Sequence, residues 1–221
     1  WKALGFTMVF AVPAQMPLAA WLSAHSGLPN AMCWSPLVFL FVLLPACDYL
    51  LGHDPANVPA DAERATALNP WFRALTLLAL PVQLALILWS GWWFAHAELS
   101  WLGASGWLLS QGLVGGILAI NTAHELIHKD APIERLAGGL LLTSVGYHGF
   151  KVEHLRGHHV HVATPEDASS ARLGQSLWHF LPRALARNTV NAWKFEAQRL
   201  HGLGLGWLSP RNELLWWTAL W

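Results

Sequence analysis

The chain has 221 residues, 54% of them hydrophobic and only 12% charged, with fifteen tryptophans and no formal net charge. Ordinary soluble domains carry roughly a quarter charged residues, so this composition excludes one and points to a membrane protein. A net charge of zero provides no basic field for nucleic acid.

Taken in order, Ala3 to roughly Leu22 is apolar apart from Thr7 and Gln15, and is long enough to cross a bilayer although Pro13 and Pro17 would kink it. Ser23 to Asn30 is a short polar turn, and 31–51 is a second predicted span with Asp48 near its end. An ionisable residue at membrane depth is a candidate functional group. Cys33 and Cys47 fall on that one predicted helix, about 21 Å apart along its axis and too far for a disulfide. Residues 53–69 read as loop and surface helix from their Pro, Asp and Asn content.

The third predicted span is 73–94, with Trp89, Trp92 and Trp93 at one end as an aromatic belt would place them. The fourth is 101–120, where Gly112, Gly115 and Gly116 suggest a close-packing face. Leu136 to Val145 is apolar but too short to span, and reads as a re-entrant or interfacial arm. From Ser176 to Arg211 tryptophans alternate with basic residues, as in helices lying on a membrane surface. Residues 213–221 begin a further span, and with no initiating Met the chain reads as part of a longer protein. The expected architecture is therefore an all-α integral-membrane helical bundle, with four complete spans, the start of another, and a histidine-bearing region over 121–170. The loops 23–30 and 95–100 contain no Lys or Arg. By the positive-inside rule this puts the histidine region in the cytoplasm and His25 and His96 outside.

Five of the twelve histidines lie in two clusters, HELIH at 124–128 and EHLRGHH at 153–159. His124 and His128 are four apart, as are His154 and His158, so on helical backbone each pair shares a face. Two imidazoles so placed suit one metal, and His159 beside the second pair suggests another. Neutral imidazole is the commonest metal ligand. Such ligands usually pass their other N–H to a carboxylate, which makes Glu125 and Glu153, and more weakly Asp48 and Asp167, candidates for the outer layer. His148, His161, His179 and His201 read as ordinary structural residues. HELIH alone fits a zinc protease, with Glu125 as base, but five histidines exceed the four ligands of a zinc site. A haem bundle would need histidines facing one another from separate spans, and a metal transporter would need ligands at the bilayer midplane.

HxxxH followed by HxxxHH resembles the histidine boxes of membrane desaturases and hydroxylases. The finer resemblance, over essentially the whole chain, is to the membrane alkane 1-monooxygenases. It is carried by DYLLGHDPANVP, NTAHELIHK, VGYHGFKVEHLRGHH, VATPEDASSARLGQS, EAQRL and RNE. The resemblance implies six spans in a bacterial inner membrane and a di-iron site facing the cytoplasm. Its ligands would include His124, His128, His154, His158 and His159. It also implies O2-dependent hydroxylation of the terminal methyl of an n-alkane taken from the lipid phase, with electrons from a separate or fused rubredoxin. The later NYxxHYG and HSDHH boxes of that family do not occur here. Arg156, Arg183, Arg187 and Lys194 are candidates for docking an acidic electron carrier.

Overall fold

The computed structural model describes residues 2–52 and 69–221, and among them there are helices and turns but no strand. Of the loop and surface helix expected over 53–69, residues 53–68 lie outside the described residues. The chain divides into two compact units, Trp1–Leu126 and Ile127–Trp221.

In the first unit a helical segment ends in the 3-10 stretch Phe6–Ala11, and α1 (Gln15–His25) follows at 46°. Pro13 sits at the break, where its missing N–H and its ring both oppose a continuous helix. A single turn, Pro29–Met32, leads into α2 (Ser35–Leu51), which carries a π-turn over Phe39–Leu43. It is apolar but shorter than the roughly 20 residues a span needs. α3 (Pro70–His96) starts on Pro70, with the Asn69 side chain accepting a hydrogen bond from Trp71 N–H, and α4 (Trp101–Ile127) follows after a short turn. α3 and α4 are each long and apolar enough to cross a membrane, and the bent pair at the start makes a third if it counts as one span.

The unit packs around Met16, Cys33, Leu86 and Trp107, with the Trp93 and Trp107 ring centroids 4.0 Å apart. Large apolar side chains also face outward, Leu88 at 75% exposure and Trp101 at 81% among them. Water would oppose that surface and lipid favours it. The expected glycine face differs from the observed one. A Cβ on Gly112 or Gly116 would meet nothing, whereas Gly115 lies against Gln83 and Gly103 and Gly106 lie against Asn30 and Trp34. The close approach is therefore made near the start of α4, where Trp34 Nε1 donates to Leu102 O and Ser100 N to Asn30 Oδ1.

In the second unit, α5 (Pro132–Ser144) contains most of the short apolar run and ends at Gly146, whose φ of +69° suits glycine. α6 (Gly149–Glu153) continues into a π-turn, His154–His158, and a last helical turn, His159–His161. α7 (Leu177–Gly202) is capped by Ser176, and α8 (Glu213–Leu220) by Asn212, whose side chain accepts from Leu214 N and Leu215 N. α7 buries Ala184, Asn188, Ala192, Glu196 and Leu200, a stripe at four-residue spacing. Val152, Ala192 and Leu214 form the small core where α6, α7 and α8 meet.

Candidate metal centre

His128 follows the last turn of α4, and His154 opens the π-turn after α6. The Nε2 atoms of His128 and His154 are 3.1 Å apart, and those of His159 and His154 are 3.0 Å apart. The ring centroids of His128 and His159 are 4.8 Å apart. His124, one turn earlier on α4, belongs to the same group: each of the four residues offers a nitrogen within 4.8 Å of the others. His154 is buried, with Phe150 stacked on its ring, while the other three are exposed.

The π-turn decides which histidines meet. On an α-helix His154 would share a face with His158, but here the His159 N–H reaches His154 O and the extra residue in the turn brings His159 round to His154. Gly157 lies within that turn. A Cβ there would stand 2.5 Å from Phe195 Cε2 and 2.9 Å from Glu153 Oε1.

His158 takes a different partner. Its Nδ1 lies 3.0 and 3.1 Å from the two carboxylate oxygens of the buried Asp167, which also accept from Ser170 Oγ and Ser169 N. Burial alone would raise the Asp167 pKa, but the Ser170 hydroxyl, the Ser169 N–H and His158 outweigh it and hold the carboxyl below its ordinary range. Glu153 is buried too and is pushed up, first by desolvation and then by Asp167, with His158 and Asn191 opposing. Glu125 is exposed on α4, and Asp48, exposed on α2, is not among the grouped residues.

The donor chemistry fits a cation. Each imidazole nitrogen has one in-plane position, holding either a proton or a lone pair. His154 Nε2 therefore cannot satisfy both His128 and His159 by hydrogen bonding, whereas a cation met by three lone pairs satisfies all of them. Nitrogens about 2.1 Å from one metal and at right angles to each other are about 3.0 Å apart, which is the separation found. With Nδ1 of His158 facing Asp167, Nε2 is the nitrogen it can offer a metal.

A second cluster in this unit has no role assigned from the sequence. Glu196 is fully buried, and its carboxylate accepts from Arg156 Nη1 at 2.7 Å, from Arg199 Nε and Nη2 at 2.9 and 2.6 Å, and from Glu213 N at 3.0 Å. Burial would raise its pKa, and these donors instead bring it down to about 2. Glu213 in turn pairs with Arg156 and Lys151. The signal for Glu196 was its place on the buried four-residue stripe of α7. Three of the four basic residues considered for docking have inward tasks. Arg156 is held by the two glutamates, Arg183 donates to Ser170 O, and Arg187 donates to Pro165 O and Glu166 O. Only Lys194 is simply exposed. His25 and His96 each bond a carbonyl one turn back, and His148 Nε2 meets Thr218 Oγ1.

The fatty acid desaturase family model matches residues 99–220, more than half of the chain. The chain belongs to the fatty acid desaturase family. Together with the apolar helices of its first unit, that makes it an integral membrane protein. Over 99% of its length it is 48% identical to a Pseudomonas aeruginosa protein named alkane 1-monooxygenase 2, and 43% identical to an Alcanivorax borkumensis protein of the same name. It is also 29% identical, over 71% of its length, to the hydroxylase component of a Pseudomonas putida xylene/toluene monooxygenase, 43% of which is covered. The chain spans 59% and 58% of the two alkane 1-monooxygenases.

Proposed function

We propose that this protein hydroxylates the terminal methyl group of n-alkanes at a histidine-held di-iron site. The supporting observation is the convergence of the His128 and His159 Nε2 atoms on His154 Nε2, at 3.1 and 3.0 Å, with His124 in the same group. The kinship with proteins named alkane 1-monooxygenase selects the reaction. In that reaction R–CH3, O2, two electrons and two protons give R–CH2OH and H2O. Iron bound among these residues would supply O2 activation, chemistry that no side chain can perform.

The side chains hold and orient. His124, His128, His154 and His159 offer the convergent nitrogens, and His158 is turned by Asp167 so that Nε2 is its metal-facing atom. The substrate has no polar handle, so an apolar path from the lipid must select its chain end. The electrons come from a rubredoxin-type carrier on the cytoplasmic side of the bacterial inner membrane, the side that the Lys and Arg distribution assigns to these histidines.

His154→Ala and His128→Ala, made separately in the intact protein, are each expected to abolish 1-alkanol formation from an n-alkane supplied with rubredoxin, its reductase and O2, and to lower bound iron. Wild-type iron and turnover in either variant would remove that residue from the site.

A further inference from the structure

We propose that Glu196 is a positioning residue for the metal centre, acting through Arg156 to hold the π-turn in the register that brings His159 to His154. The inference rests on the metal-site reading above.

Arg156 is the middle residue of the π-turn His154–His158. Its guanidinium bridges two carboxylates on other elements, Nη1 to Glu196 Oε2 at 2.7 Å and Nη2 to Glu213 Oε1 at 3.1 Å. A π-turn is a rare departure from α geometry that carries one extra residue, and its surroundings must hold that residue in place. Relaxation here would swing His159 away from His154, leaving only His158, whose ring is stacked on His154 at 5.3 Å, beside it. Two features oppose that. Phe195 fills the space above Gly157, and Arg156 ties the turn to α7 and α8. The tie is firm because Glu196 is itself fixed, fully buried on α7 and also gripped by Arg199 and by the Glu213 N–H. A planar guanidinium can bridge two acceptors in fixed geometry, which an ammonium cannot.

Arg199 supplies the control. It belongs to α7, donates two hydrogen bonds to the same carboxylate, and gives its other hydrogen bond to Arg211 O rather than to the π-turn. A merely structural role for the cluster would make the two arginines equivalent.

The test is titration of the metal-free intact protein with Co2+, following the ligand-field spectrum and the apparent Kd, alongside thermal unfolding. Glu196→Gln and Arg156→Lys are expected to weaken Co2+ binding about ten-fold or more and to alter the spectrum, as loss of an outer support for metal ligands does. Arg199→Lys should lower the melting temperature but bind within about two-fold of wild type. Arg156→Gln should be weaker than Arg156→Lys. Wild-type Co2+ affinity and spectrum in Arg156→Lys, or equal losses in Arg156→Lys and Arg199→Lys, would overturn the positioning role. His154→Ala is titrated in parallel. If it binds as wild type, the metal-site reading fails and the positioning role with it. If it loses binding while Arg156→Lys does not, the positioning role alone fails.

Discussion

At Gly157 one hydrogen atom separates a π-turn that fits from one that does not. An alanine methyl would press on the partly buried Phe195 ring and the buried Glu153 carboxylate together. Gly157→Ala is expected to cost about 1 to 3 kcal/mol, the usual cost of overfilling a packed site. Denaturant unfolding in detergent measures it, and unchanged stability would mean that Phe195 yields freely. The sequence named the five clustered histidines and, around the second histidine pair, Glu153 and Asp167, and the structure puts four of those histidines in one group. Glu196 was not named despite its place on the α7 stripe, because a carboxylate on an amphipathic helix ordinarily faces water and only the position of its arginine partners allows it to be buried.

At the scale of elements, the pairing within the second histidine cluster is what sequence reasoning misses. Four-residue spacing pairs His154 with His158 on a regular helix, and the π-turn substitutes His159 and sends His158 to Asp167. Propensity carries no signal for a single inserted residue in a helix. α7 serves both sides of this arrangement. Arg183, Arg187 and Asn188 fasten the 163–170 loop that holds Asp167, while Glu196 fastens the π-turn. Ala163 in that loop adopts φ of +65°, uncommon outside glycine, so the loop shape is imposed by its contacts.

The pH dependence of this unit follows from Glu196. Its carboxyl falls to about 2 in the folded state from an ordinary 4.5, so the unfolded chain takes up the proton first. The stabilisation it contributes is complete above about 4.5 and is lost as pH falls through about 2. Glu153, shifted upward, works in the opposite sense. Comparing wild type with Glu196→Gln therefore isolates the term. Unfolding midpoints of wild type should fall across that window while those of Glu196→Gln fall less, and parallel curves would contradict the assignment.

Across the whole molecule, composition was the most legible layer. A hydrophobic, weakly charged chain rich in tryptophan becomes helices whose apolar side chains face outward in the first unit, and a charged, hydrogen-bonded scaffold behind the histidines in the second. The expected glycine face moved along α4 because contact depends on which neighbour arrives, and that information lies in Asn30 and Trp34 rather than in the glycines. The same holds for the basic residues. Charge counts mark a side of the membrane, but only geometry reveals that Arg156 is paired with carboxylates and that Arg183 and Arg187 are bonded to loop carbonyls.

The di-iron site is tested most directly by elemental analysis of the intact protein purified from cells supplied with both iron and zinc. About two irons per chain and negligible zinc are expected, since imidazole sites accept either metal and ligand number and geometry must select. One zinc per chain with no iron would contradict it.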